Sequence, residues 1–237
     1  MLFDPMYLLF VAPAFLLSMW ASFKTKSAFG KYSKVRAMNG LTGAQAAQAM
    51  LERAGIRDVK VVPTRGYLSD HYNPMNKTLA LSEAVYGSPS VAAIGVACHE
   101  AGHAIQHATK YGPLALRSML VPTANIGSRL GYFVMIGGLI LMSMGSGSFG
   151  ANVVLLGALL FSAVLLFQIV TLPVEFDASA RAKKLAFEQG LVTAPEREGM
   201  AKVLNAAALT YVAAAISTLA TLLYFLVRAG LLGGRRD

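Results

Sequence analysis

His99-Glu100-Ala101-Gly102-His103 sets two imidazoles four positions apart with a carboxylate between them. On a helix that spacing turns the second imidazole only about 40° from the first, so both can reach one metal ion. Glu100 falls beside the pair, where it can take a proton from water that a bound zinc has made acidic. This is the H-E-x-x-H pattern of zinc hydrolases, most of which cut peptide bonds. Its plain rival is a pair of surface histidines on a helix.

A catalytic zinc takes three protein ligands and keeps a fourth position for water, so another donor must come from elsewhere. His107 is poorly placed. It lies about 12 Å along the helix axis from His99, whereas a zinc–nitrogen bond is near ~2.0 Å. Ala104-Ile105-Gln106 offers no break that would bring it closer, and pairing His103 with His107 would strand Glu100. His107 therefore reads as structural or as a support for a ligand. The other donors are Glu175, Asp177, Asp70, His71 and Glu83. Location favours Glu175, at an expected helix start near a membrane surface, with Asp177 next. Cys98, about 100° around the helix from His99, reads as a small buried thiol. As the lone cysteine it excludes an intramolecular disulfide and a zinc ribbon.

These residues sit in a chain that is 55% hydrophobic, 14% charged and of mean hydropathy +0.53. That balance is too apolar for an ordinary soluble domain and points to membrane spans. Four segments have the ~20 apolar residues a bilayer core demands: 5–23, 119–144 with a kink expected near Pro122, 151–172, and 206–227. The first carries Asp4 and no basic residue at its front, so it reads as a retained anchor with its N-terminus outside. Residues 24–120 hold 12 Lys/Arg against 5 Asp/Glu, residues 173–205 hold 5 against 5, and the 144–150 turn is uncharged. The positive-inside rule then places 24–120 and 173–205 in the cytoplasm, which leaves Arg228, Arg235 and Arg236 outside. The net charge of +9 does not indicate a nucleic-acid partner. Its basic residues are dispersed and gather next to spans, where they face anionic lipid of the bilayer.

The polar portions must position the metal ligands. Thr42 is a plausible N-cap for a helix with Ala46, Ala47, Met50, Leu51 and Ala54 on its apolar face, ended by Gly55. Residues 56–62 read as a strand stopped by Pro63, residues 65–74 as polar turns, and residues 77–82 as a second strand. The metal helix runs from Pro89-Ser90 to about Thr109. Its apolar opening of eight residues, 91–98, cannot span a bilayer. The third span passes Pro173 into Val174-Glu175-Phe176-Asp177-Ala178-Ser179, where a kink or a new helix start is expected.

Four stretches together, Asp70-His71-Tyr72-Asn73-Pro74, Leu81-Ser82-Glu83, His99 to His107, and Leu172 to Ser179, resemble the YugP-type neutral zinc metallopeptidases, small integral-membrane proteins of prokaryotes. The resemblance covers nearly the whole chain, span order included. More distantly the chain is similar to the HtpX membrane proteases and the CaaX prenyl proteases, in which a motif beginning E-F or E-Y supplies the third zinc ligand. That resemblance implies Glu175 as the third ligand beside His99 and His103, with Zn2+ as cofactor. Those relatives place an aspartate four residues after the ligand. Here the position is Ser179, whose hydroxyl orients an imidazole less strongly than a carboxylate.

The fold expected is a mainly α integral membrane protein of about four transmembrane helices with a small α+β, zincin-like cytoplasmic portion carrying the H-E-x-x-H helix. Its segments are 1–23, 24–118, 119–172, 173–205 and 206–237, the last with a basic tail. The expected activity is zinc-dependent hydrolysis of a peptide or membrane-protein substrate, with Glu100 as general base. His71 and Arg181 are candidates to stabilise the oxyanion, and residues 77–82 could hold the substrate as an edge strand. An intramembrane protease would use an aspartate in a second span, and spans two to four contain none. A scaffold with a decayed site fits poorly with both histidines and the glutamate retained. A transporter would need facing ionisable residues at mid-membrane, where only Arg129 lies within a span. The oligomeric state is not legible.

Overall fold

The computed structural model describes residues 4–232, so Arg235 and Arg236 of the basic tail lie outside the described residues. The element order is α1 (Pro5–Tyr32), α2 (Gly43–Arg53), β1 (Lys60–Thr64), β2 (His71–Asn73), β3 (Thr78–Ser82), α3 (Glu83–Tyr86), α4 (Val91–Ala108), α5 (Gly112–Ile126), α6 (Tyr132–Ser143), α7 (Gly147–Glu188) and α8 (Ala194–Arg228), with a π-turn at Gly127–Gly131 between α5 and α6. The chain is a mainly α membrane protein with a small α+β portion. Among the described residues four helical stretches are long and apolar enough to cross a bilayer: Pro5–Tyr32, Gly112–Ser143, Gly147–Glu188 and Ala194–Arg228.

The described residues divide into two compact units, and each is a separate packing problem. One unit is made of residues up to 20, 116–171 and those from 211 on. Its core gathers Met135, Val154, Ala158, Phe161, Tyr224 and Phe225, while Leu9, Phe133 and Leu159 turn outward at 68%, 70% and 64% exposure. Outward-facing apolar side chains of that size suit a hydrocarbon surround, not water. At the π-turn, a Cβ on Gly127 or Gly131 would collide with α7 backbone at Leu160 or Phe161. Close helix contact through glycine is the usual packing device in membranes. The irregularity in this span therefore falls at the glycine pair. Pro122, where a kink was expected, lies inside α5 without ending it. Asp4 accepts hydrogen bonds from the Tyr224 hydroxyl (3.0 Å) and from Arg228 Nε (3.3 Å), which gives the odd arginine a counter-charge.

The other unit comprises residues 21–115 and 172–210. Its centre is α4, buried almost all round, as expected for a helix of mainly small and apolar residues. Ser90 caps it by accepting from Ala93 N, and α2, α3 and the sheet pack around it. Helix α2 begins with a capping box: Thr42 Oγ1 accepts from Gln45 N, and the Gln45 side chain accepts from Thr42 N. Gly55, at φ +77°, ends it in a conformation that suits glycine.

The sheet has the order β1-β3-β2, with β1 parallel and β2 antiparallel to β3. Two expectations change here. The first strand is Lys60–Thr64 and includes Pro63 instead of stopping before it. It is an edge strand, where a missing N–H can point away from the ladder. Residues 71–73, read as turn, form a three-residue strand whose pairing comes entirely from β3. Three residues are too short for alternation to register in sequence.

Of the kink or new helix start expected at Pro173, the new start does not occur, for α7 passes the proline unbroken. Proline removes one backbone donor. Beyond it Val174, Ala178, Ala182 and Ala186 repeat at four-residue intervals and are fully buried, so packing holds the helix together through the defect. At the head of α8, Glu196 accepts from Thr193 N (2.6 Å) and the Thr193 hydroxyl (2.8 Å) with one oxygen, and from Met38 N (2.7 Å) with the other. This carboxylate both caps α8 and anchors the loop after α1. Glu196→Ala orphans those donors at a cost of about 2 kcal/mol. The expected outcome is a melting temperature about 5 °C lower in detergent, measured by thermal denaturation with bound zinc unchanged.

Candidate metal centre

His99, Glu100 and His103 stand on one face of α4, and that face meets the buried stripe of α7. The helices approach so closely that a Cβ on Gly102 would stand 2.7 Å from the carbonyl oxygen of Ala178. Gly102 adjoins His103, and Ala178 lies three residues past Glu175. The glycine thus sets the gap across which the donors meet. His99 Nε2 lies 3.2 Å from Glu175 Oε2, and His103 Nε2 lies 3.5 Å from the same oxygen. The two rings stand edge to face with centroids 4.8 Å apart.

Among the described residues this trio forms the one group of metal-ligating side chains, with all donor atoms within 4.8 Å of one another. Two ligands of a tetrahedral zinc, bonded at about 2.05 Å, stand about 3.3 Å apart. The observed 3.2 and 3.5 Å bracket that value. The donor set fits zinc in type as well: two imidazoles and a carboxylate, with the glutamate 2% and His103 7% exposed. Burial alone would push the pKa of His103 down. The Glu175 contact, helped by the charge of Glu100 and by Gln106, outweighs burial and holds it above its ordinary value. Glu175 thus stabilises positive charge beside the rings.

The outer nitrogens of both rings are held. His99 Nδ1 lies 3.1 Å from the Ser179 hydroxyl, and His103 Nδ1 lies 3.0 Å from Gln106 Oε1. Gln106 is fully buried and spends its amide N–H groups on the Val174 carbonyl and on Asp177 Oδ2, both at 2.8 Å. With those donors committed, its carbonyl oxygen can only accept, so Nδ1 of His103 carries the proton and Nε2 faces the ligand position. Arg181 closes the chain by donating from Nε to Asp177 Oδ2 at 2.5 Å, and its guanidinium lies 5.7 Å from the ring centre of Tyr111. Ser179 therefore does reach His99, and Asp177 serves His103 through an amide.

Gln106 escaped the sequence reading. Its signal was a polar residue three positions past His103 on an otherwise small, apolar helix. Glu100 is 8% exposed, and its negative charge acts on the neighbouring His103 ring. No hydrogen bond from a described residue takes up its carboxylate, which leaves both oxygens available for water. Of the other donors considered, Asp70 accepts from the backbone and hydroxyl of Ser82, and Glu83 is exposed in the first turn of α3. His107 shares one hydrogen bond with the Tyr72 hydroxyl at 2.8 Å, tying α4 to β2. His71, at the exposed start of β2, donates from Nδ1 to the Ser69 carbonyl at 2.9 Å and is not one of the trio. Cys98 is fully buried, which pushes its thiol up to about 12 and removes it as a thiolate ligand.

Two expected outcomes concern metal content, read by elemental mass spectrometry after dialysis. Glu175→Ala loses most of the bound zinc, because two imidazoles alone cannot close the site. Gly102→Ala forces α4 away from α7 and weakens zinc roughly tenfold in a chelator competition, although no ligand is changed.

Residues 7–230 match the family described as "Putative neutral zinc metallopeptidase". The chain is 48% identical over 211 residues to the "Putative membrane protease YugP" of Bacillus subtilis (strain 168), covering 89% of this chain and 91% of that protein. No solved structure matches it. A family match running almost from end to end, on a donor set spaced for zinc, makes this membrane protein a member of the neutral zinc metallopeptidase family.

Proposed function

We propose that the chain is a multi-pass membrane zinc endopeptidase of gluzincin-like ligand set, with its active site at the cytoplasmic membrane surface. The observation that carries the reading is Glu100: a nearly buried carboxylate with no hydrogen-bond partner among the described residues, beside three donors spaced for one zinc ion. His99, His103 and Glu175 would hold the ion. Bound zinc supplies Lewis acidity, which brings water into the neutral pKa range and polarises the scissile carbonyl.

The chain's own groups handle the protons and the substrate. Glu100 accepts a proton as water attacks the carbonyl carbon, then delivers it to the amine nitrogen as the C–N bond breaks. The developing oxyanion needs a donor, and Arg181 has guanidinium N–H groups beyond the one given to Asp177. His71 is the less suited donor. Its Nδ1–H is committed to Ser69, so in the neutral ring Nε2 can only accept.

A substrate strand on β3, as the sequence suggested, is ruled out because β1 and β2 occupy its two sides. The outer edge of β2, joined to α4 through Tyr72 and His107, is the alternative support for an extended peptide. The cytoplasmic placement rests on the 12 to 5 excess of basic residues over 24–120, with Arg228 countered by Asp4. A peptide or membrane-protein substrate and a surrounding bilayer follow from this reading, and a nucleic-acid partner does not.

Glu100→Gln is expected to retain one zinc per chain and to lose peptide hydrolysis by about 10³-fold. Purified protein in detergent, assayed against a fluorogenic peptide library alongside metal analysis, checks this. A variant that cleaves as well as the wild type removes Glu100 from the mechanism.

A further inference from the structure

We propose that a basic pocket between α1 and α8 binds a phosphate-bearing anion, supplied by the headgroup of an acidic phospholipid. The pocket has a volume of about 490 Å³, within the range of small-molecule sites, and lies wholly inside the unit that carries the metal centre. Lys24 and Lys31 of α1 and Lys202 of α8 line it, together with the polar side chains of Ser27, Tyr32 and Asn205. No carboxylate is among the lining residues. Glu198, one turn before Lys202, pairs with that lysine at 2.6 Å from a side chain that is 70% exposed, so water and salt screen its charge. Three ammonium groups thus line one cavity whose own wall supplies no negative charge. Lys183 adds to this balance by donating to Asn205 Oδ1 at 3.0 Å, which leaves the amide N–H groups as what Asn205 can present to a ligand. Ammonium, hydroxyl and amide donors around one cavity are a donor set for phosphate oxygens.

The position of the pocket selects a lipid over a soluble anion. From residue 5 to residue 23 α1 carries no charge, and Lys24 is the first. From residue 203 to residue 227 α8 carries none, and Lys202 is the last before it. The two boundaries stand at one level, because the Thr25 hydroxyl donates to the Ala206 carbonyl at 2.9 Å. Ala206 and Leu209 then form an apolar side of the same pocket. Charged and apolar walls meet where a phosphate joins its glycerol and acyl chains.

The test uses the full chain purified in dodecyl maltoside and titrated with dioleoyl phosphatidylglycerol, dioleoyl phosphatidylcholine or sodium phosphate. Bound species are counted by native mass spectrometry. Phosphatidylglycerol is expected to be retained in preference to phosphatidylcholine. Each lysine near an anionic headgroup is worth about fivefold, so Lys31→Gln with Lys202→Gln weakens retention roughly 25-fold. The charge-matched control Lys34→Gln with Lys184→Gln, at exposed positions outside the pocket, should bind as wild type does. Should the first pair prove aggregated on gel filtration, Ser27→Trp fills the pocket from an exposed position without changing charge, and must also lose the lipid. Unchanged retention in the pocket variants, or equal loss in the control, overturns the proposal. Competition by inorganic phosphate at the affinity of phosphatidylglycerol overturns the lipid assignment in favour of a free anion.

Discussion

The contact of Gly102 with Ala178 is the constraint from which the metal centre follows. A helix carrying two histidines and a helix carrying one glutamate can share an ion only at the separation their packing sets, and here a Cβ on Gly102 would stand 2.7 Å from the Ala178 carbonyl oxygen. Gly102 removes the side chain at the crossing, and the four-residue stripe of Val174, Ala178, Ala182 and Ala186 keeps the α7 side thin. The donors on either side of the crossing then fall 3.2 to 3.5 Å apart, the separation of two ligands on one tetrahedral ion. Helix packing, not loop geometry, sets the separation of the donors that would hold a metal. Sites built on rigid elements hold their geometry more closely than sites on loops.

That precision would be wasted if the imidazoles could rotate. Each is held from behind by a neutral group, Ser179 for His99 and Gln106 for His103. The charge sits one step further out, on Asp177, where Arg181 compensates it. A neutral partner raises the basicity of a ligand imidazole less than a carboxylate does. The arrangement nevertheless fixes the tautomer, since the Gln106 amide has both its donors committed. Burying one polar amide with every bond satisfied costs less than burying a second carboxylate beside Glu175.

Much of the fold was readable because its signals are local. Helix α2 announced itself by Thr42, an alanine-rich face and Gly55, and β3 by alternation over 78–82. The spans are composition alone. What misled is equally physical. Pro63 stopped a strand on paper because the edge position that tolerates it depends on which strand lies beside it. Pro173 suggested a break because the buried stripe that carries α7 past it is meaningful only once α4 is in place. The three residues of β2 carry no periodicity, and they are a strand only because β3 offers them partners.

At the metal centre the sequence by itself determined the chemistry of α4: two imidazoles and a carboxylate on one face follow from helical periodicity, whatever the rest of the chain does. It could not choose among Glu175, Asp177, Asp70, His71 and Glu83 by spacing, since a partner 72 residues beyond His103 is placed by packing and not by a repeat. Tertiary structure decided that choice. It turned Asp70 to Ser82, His71 to Ser69 and Asp177 to Gln106 and Arg181, leaving Glu175 alone opposite the two rings. The reason is that a ligand set needs ångström-scale distances in three dimensions, and a linear chain encodes those only through the burial that brings its helices together.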